Sequence, residues 1–330
     1  MKKKIALVTG GYSGEAVISY KSATTIYNHL EKGKYEVYKI DITPSGWFYE
    51  DEKGTKTDVD KNDFTITLEG NKVKFDAVFI GMHGTPGEDG KLQGYFDMLD
   101  LPYTSCNAAT SALTFNKRYT VAVAHMAGVP VAKSVHLFKN NNYSLDDILS
   151  HLKPPLFVKP NNGGSSIGMS KVNEPSQLQD ALEKAFKEDD QVLVEQMVEG
   201  REFTVGVYKT GDSITVLPIT EVITHIGQDF FDFEAKYGGK STEVTPADIT
   251  SDWQEQLEAT ARRIYQVFNC RGVVRIDFIY NANENKPYML EINTIPGQSD
   301  ASVIPQQVRA KGERLEDFYS KLLDEALSKH

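Results

Sequence analysis

Two short runs in the N-terminal third, Ile5–Thr9 and Asp76–Met82 (apolar after its first residue), each end in a glycine-rich turn. No other feature constrains the fold of this chain more. Short apolar runs bounded by glycine read as strands of a sheet covered on both faces. Gly10–Gly14 follows the first run. Glu15–Leu30 then places Val17, Ala23, Ile26 and Leu30 at helical spacing, and Glu31-Lys32-Gly33 stops it. Tyr35–Ile42 alternates as a further strand, and Phe64–Leu68 and Val73–Phe75 flank the hairpin signal Glu69-Gly70-Asn71. Strand–helix–strand order predicts a parallel sheet with helices on its faces and ligands at the carboxyl ends of the strands. Both glycine turns, Gly10–Gly14 and His83–Gly90, fall at such ends.

Farther on, the pattern predicts a helix over Ser111–Ala127, a strand at Leu156–Lys159 entering the glycine and serine run Asn161–Gly168, a helix at Gln179–Phe186 and a strand at Gln191–Gln196. Met197–Gly200 reads as a hinge. Strands follow at Glu202–Tyr208 and Ile214–Val222, then a long irregular stretch from His225 to Thr250. Such loops inside compact domains are usually functional or disordered. Ser251–Phe268 is an amphipathic helix, Gly272–Tyr280 and Pro287–Asn293 form a hairpin, and Leu315–Leu327 is a last amphipathic helix. A chain of 330 residues holds two or three domains.

The charge balance, 36 Lys and Arg against 46 Asp and Glu, gives a net −10. That argues against a nucleic-acid or anionic-membrane binder, because phosphate recognition depends on clustered cations. A small phosphorylated ligand needs only a local site. Cys106 and Cys270 have no metal-ligand spacing, so a thiolate zinc site is excluded, and two buried free thiols are expected, with one long-range bridge as the alternative. The apolar run after Met1-Lys2-Lys3-Lys4 is too short for a signal sequence, and no run is long enough to span a membrane. A cytoplasmic protein is expected.

Candidate chemistry gathers in a few places. Glu291 and Asn293 lie two apart on one strand and so share a face, and pairing with the other strand of the hairpin can add Asp277. Two carboxylates and an amide suit Mg²⁺ or Mn²⁺ carrying nucleotide phosphates, with a solvated charged face as the alternative. Lys159-Pro160 leads into Gly163-Gly164-Ser165-Ser166, small residues whose backbone N–H groups can approach phosphate oxygens, or a plain surface turn. Thr9–Gly14 lacks the GxGxxG spacing of a dinucleotide site. Glu15 can serve the helix dipole or face a ligand. The loop His83–Gly90 packs His83, Glu88 and Asp89 among glycines, and a neutral His there can hydrogen-bond a ligand. Glu234-Ala235-Lys236-Tyr237 puts a cation and a phenol in the long loop, where closure over a charged ligand would exclude water.

Taken together, these segments resemble the D-alanine–D-alanine ligases. His83-Gly84-Thr85-Pro86-Gly87-Glu88-Asp89-Gly90 matches that family's HGxxGEDG signature. Gly10–Glu15, Lys159-Pro160 to Gly168, Glu234–Tyr237, Arg275-Ile276-Asp277 and Glu291–Gly297 also match, in the family's order. The resemblance implies an ATP-grasp fold, α/β and α+β. It would have an N-terminal parallel-sheet domain (1–105) binding the first D-alanine, and two α+β subdomains (106–198 and 199–330) clamping ATP. It implies that ATP phosphorylates one D-alanine carboxylate and that the amine of a second D-alanine displaces the phosphate.

By position, the resemblance assigns Glu15 to the first ammonium and His83 and Ser302, followed by Val303, to substrate binding. It assigns Arg275 and the Gly297 N–H to the tetrahedral intermediate, and Ser165 and Tyr237 to the second D-alanine. Lys117, Lys159, Ser166 and Lys236 would contact ATP phosphates, Glu195, Gln196 and Val198 the adenine hinge, and Glu202 the ribose. Asp277, Glu291 and Asn293 would hold two Mg²⁺ or Mn²⁺ ions. A homodimer acting on small molecules is implied too. Four positions depart from the family's common residues: Gln298-Ser299 in place of Met-Thr, Val303 in place of Leu, and Gln196 in place of Lys. Tyr237 favours D-alanine as the second substrate, with D-lactate, D-serine or another ATP-grasp pairing as alternatives. A nucleotide-binding oxidoreductase is the reading from another class.

Overall fold

The computed structural model describes residues 2–51, 53–164, 167–224 and 241–328. The N-terminal sheet has the strand order Lys56–Asp58, Gly46–Glu50, Tyr35–Thr43, Lys3–Gly10, Ala77–Ile80. Its last three strands are parallel, with Ile5 between Val37 and Ala77. The apolar run is buried because both faces are covered. Ile5, Leu7 and Phe79 pack on Ala23 and Ile26 of the helix Ala16–His29 and on Phe318 and Leu322 of the C-terminal helix Leu315–Leu327. Ala6, Val8 and Ile80 pack on the opposite side with Phe64, Leu92 and Phe96. The chain's last helix thus completes the core of its first sheet, and the Phe79 and Tyr319 rings meet edge-on at 5.6 Å.

Two antiparallel sheets follow. The first runs Ser170–Val172, Leu156–Pro160, Gln191–Gln196, Ser134–Phe138 and is covered by the helices Leu145–His151 and Leu178–Glu188. The second runs Ser241–Val244, Thr220–Thr224, Arg201–Thr210, Val273–Asn281, Lys286–Asn293, with Ser213–Val216 also paired to Arg201–Thr210. Leu257, Ala261 and Ile264 of the helix Ser251–Val267 bury its rear face against Phe203, Val205 and Phe278. None of the described helices is long and apolar enough to cross a membrane. Both cysteines are buried and free.

Several elements differ from the sequence reading. The helix expected over Ser111–Ala127 is two helices, Ala108–Phe115 and Lys117–Met126. Asn116 breaks it: its backbone is extended and its side chain accepts the Tyr119 N–H, capping the second helix. An Asn that can cap outcompetes helix continuation. Ile214–Val222 is likewise two strands, with Leu217 and Ile219 buried at the bend. Ser241–Val244 is a strand inside the stretch read as irregular. Glu15 stands at the N-cap position and Leu30 is extended, so the first helix is shorter than its apolar pattern. The helices Lys91–Met98 and Val303–Ala310 carry Gly94 and Pro305, which hid them from a propensity reading.

Candidate active site

A cavity of about 340 Å³ lies between the turns of the N-terminal sheet and the last hairpin. Glu15 is on its wall at the N-terminus of the helix Ala16–His29, where the helix dipole favours a carboxylate. Two glycines crowd this carboxylate. A Cβ on Gly84 would lie 2.6 Å from Glu15 Oε2 and 2.4 Å from Ser13 Oγ, and one on Gly164 would lie 2.9 Å from Glu15 Oε1. Gly84 also has a φ of +67°, which glycine adopts without strain. Two turns distant in sequence therefore close on one side chain.

His83 is buried beside it. Its backbone N–H donates to Ser19 Oγ at 2.9 Å, and its Nε2 lies 2.9 Å from Ser22 Oγ. Ser22 Oγ also accepts the Gln298 N–H at 3.1 Å. The hydroxyl proton is then available to Nε2, which puts the imidazole proton on Nδ1. Burial pushes the imidazole down to about 4, so it is neutral near pH 7. Gln298, one of the departures from the family pattern, is itself buried. Its amide donates to the Pro296 carbonyl (3.1 Å) and accepts from the Tyr319 hydroxyl (3.3 Å). Both ends of its side chain are held by the protein, which assigns this position to loop placement. A Cβ on Gly297 would meet Ser302 Oγ at 2.8 Å, and Ser302 with Val303 lines the same cavity.

The acidic cluster forms as the strand spacing requires. Asp277 pairs with Glu291 and Arg275 with Asn293 across the hairpin. Thr204 Oγ1 donates to Asp277 Oδ1 (2.5 Å), and Arg275 grips both Asp277 oxygens (2.9 and 2.8 Å) while lying 3.9 Å from Glu291 Oε1. Asn293 Oδ1 accepts the Ile295 N–H at 3.0 Å. A β-bulge next to Asp277 shifts the register, so Met289 and Ile292 stay in the core while Leu290 and Glu291 both reach a cavity. Spacing alone did not show this bulge. The donor set is all oxygen, which fits Mg²⁺ or Mn²⁺ and not a thiophilic metal.

A second cavity, about 470 Å³, lies between the two antiparallel sheets. One sheet brings Lys159 and Glu195, which pair with each other, and the segment Gln196–Val198. The Gln196 side chain is bonded to both backbone groups of Lys153, so it fixes the strand end. The other sheet brings Glu202, Asp277 and Glu291. Lys117, whose Nζ donates to the Gly163 carbonyl at 2.7 Å, lines both cavities. So do Gly163, Gly164, Glu202, Asp277 and Glu291. The two cavities meet at the acidic cluster.

Ser165, Ser166, Lys236 and Tyr237 lie outside the described residues. The cavity wall also includes Lys21, Thr204 and Glu243, which the sequence reading did not single out. Glu243 accepts from Gln306 Nε2 at 2.7 Å, and burial raises its carboxyl above the ordinary range. It sits in register with Val222 and, one strand on, with Glu202. The alternation around Thr242 and Val244 was the signal for that strand.

Comparison with known proteins agrees with this geometry. Family models described as the D-ala D-ala ligase N-terminus and C-terminus match residues 4–106 and 123–324. A D-alanine–D-alanine ligase of Parabacteroides distasonis is 44% identical over 99% of this chain and 98% of its own length. One of Flavobacterium johnsoniae is 44% identical over 99% of this chain and all of its own. Among solved structures, a D-Ala:D-Ser ligase from Enterococcus faecalis superposes with a TM-score of 0.88 at 31% identity, covering 98% of this chain and 99% of that one. A Bacillus anthracis D-alanine–D-alanine ligase complexed with ATP gives 0.79 at 25%, covering 99% and 98%. The chain belongs to the D-alanine–D-alanine ligase family.

Proposed function

We propose that this protein joins two D-alanine molecules at the expense of ATP, forming D-alanyl-D-alanine, ADP and phosphate for cell-wall precursor synthesis. The observation that carries this reading is the shared acidic cluster, which puts a nucleotide-sized cleft and an amino-acid-sized cavity on the two sides of one set of oxygen ligands. A carboxylate at neutral pH is a poor electrophile, so the order of events follows. An oxygen of the first D-alanine carboxylate attacks the γ-phosphorus, and the bond to the bridging oxygen breaks as ADP leaves. The amine of the second D-alanine then attacks the acyl carbon, loses a proton, and phosphate departs with the bonding electrons.

Each side chain has a task in that sequence. Glu15 holds the first ammonium. His83, neutral and oriented by Ser22, stands near the first carboxylate without cancelling the charge that makes it a nucleophile. Arg275 and the Gly297 N–H stabilise the oxyanion of the tetrahedral intermediate, with Ser302 near the first carboxylate and Val303 next to it in the substrate site. Lys117, Lys159, Ser166 and Lys236 hold the nucleotide's phosphates. Ser165 and Tyr237 orient the second D-alanine. Glu195, Gln196 and Val198 present backbone to the adenine, and Glu202 meets the ribose. Asp277, Glu291 and Asn293 would hold Mg²⁺ or Mn²⁺, which supply charge neutralisation on the transferred phosphoryl group. We place the enzyme in the cytoplasm as a homodimer of three-part subunits divided at 105 and 198. Its net charge of −10 supports small molecules as its partners, in preference to nucleic acid or an anionic membrane.

The deciding assay measures ADP release and dipeptide formation with ATP, Mg²⁺ and D-alanine, against L-alanine, D-lactate and D-serine as acceptors. D-alanyl-D-alanine as the main product is expected. Turnover with D-serine or D-lactate alone would move the reading to a depsipeptide or mixed-dipeptide ligase.

A further inference from the structure

The turn His83–Gly90 contains a carboxyl to which the steps above give no task. Glu88 is 9% exposed and lines the amino-acid cavity. Its Oε2 accepts the Gly84 N–H at 3.0 Å. Its Oε1 is buried with no hydrogen-bond partner among the described residues, 3.9 Å from His83 Nδ1. The charged or titratable groups acting on it are His83, Glu15, Arg275 and Glu291.

We propose that Glu88 is a positioning residue that works as an uncharged acid, bracing the His83–Gly84 turn and so shaping the subsite of the first amino acid. This rests on the ligase reading above. The Gly84 N–H is spent on the Glu88 oxygen, and the turn stands so close to Ser13 and Glu15 that a Cβ on Gly84 would meet them at 2.4 and 2.6 Å. Without the Glu88 oxygen that N–H would be a buried donor left unpaired. An anion at Glu88 would be a buried second negative charge near Glu15, which is unfavourable. Burial first, then the charge of Glu15, push the Glu88 carboxyl up to about 8. With its proton in place, Glu15 is left to attract the ammonium, and His83 keeps its neutral tautomer.

The test uses the full-length enzyme and steady-state kinetics. Dipeptide formation by the wild type is measured first, so that failure of the ligase reading shows before any variant is made. Glu88→Gln, uncharged and of the same shape, is expected to stay within about threefold of wild type in kcat/KM for the first amino acid at pH 7. Glu88→Ala is expected to raise that KM by about tenfold or more, with the KM for ATP unchanged in both. Wild-type KM for the first amino acid should climb above about pH 8 as Glu88 loses its proton, and the Gln variant should lack that climb. Equal impairment of folded Gln and Ala variants would overturn the proposal, because it would mean that the anion is required. A wild-type KM in Glu88→Ala would also overturn it. If the Ala variant does not fold, the Gln pH profile decides alone, and a climb that persists there refutes the uncharged role.

Discussion

The two cavities are built by different means. The nucleotide cleft is made from strands, and its charged groups are answered within each sheet: Lys159 pairs with Glu195 on the neighbouring strand, and Asp277 is held by Arg275 two residues before it on the same strand. The amino-acid cavity sets turns and helix N-termini against the face of the C-terminal sheet. Its shape depends on Gly84 and Gly164 having no side chains where Glu15 passes, and His83 at its base is neutral. A strand-built site tolerates a change of polar side chain without loss of shape, because the backbone ladder holds the strand. A turn-built site does not, since one added carbon atom displaces the backbone that forms the wall. Polar changes in the cleft should therefore alter nucleotide handling and chemistry, and backbone changes in the turns should alter amino-acid binding.

The largest expected effect tests the point where the cavities meet. Glu291→Gln should lower kcat by roughly 100-fold or more while the thermal midpoint stays near wild type, because charge is lost and shape is kept. Near-normal ADP release from this variant would sink the metal assignment. Gly84→Ala comes next. Its φ of +67° and the contacts with Ser13 and Glu15 should cut kcat/KM for the amino acid by about tenfold to 100-fold, with the KM for ATP unmoved. A parallel rise in both constants would break the separation of the two regions. Lys159→Ala should do the converse, raising the KM for ATP about tenfold and leaving amino-acid affinity intact. The smallest change is Gln298→Met, which restores the family's common residue. It leaves the Tyr319 hydroxyl without its partner, and a thermal midpoint lower by about 2 °C is expected, with acceptor preference unaltered. A shift toward D-lactate in that variant would show that Gln298 reaches the acceptor after all.

How much was legible follows from the same contrast. The face shared by Glu291 and Asn293, and the buried runs of the first sheet, were readable because side chains on a strand repeat every two residues. The helix Ser251–Val267 was readable from its apolar stripe. The break at Asn116 was not, since an Asn inside a helical pattern is neutral until its side chain finds a backbone N–H to cap. The strand Ser241–Val244 was missed because it is four residues long and lies inside the irregular stretch His225–Thr250.

What the sequence determined by itself was local: which segments repeat with period two or with helical period, where glycine allows a turn, and which residues in a motif carry charge. The tertiary structure alone decided what comes together from far along the chain. It set Gly84 and Gly164 against Glu15 and packed the C-terminal helix on the N-terminal sheet. It placed the bulge beside Asp277 that brings Leu290 and Glu291 to the cleft, and it buried Glu88 next to His83. Those outcomes depend on close packing and on the exclusion of water between distant segments, and neither is written in the spacing of residues along one segment.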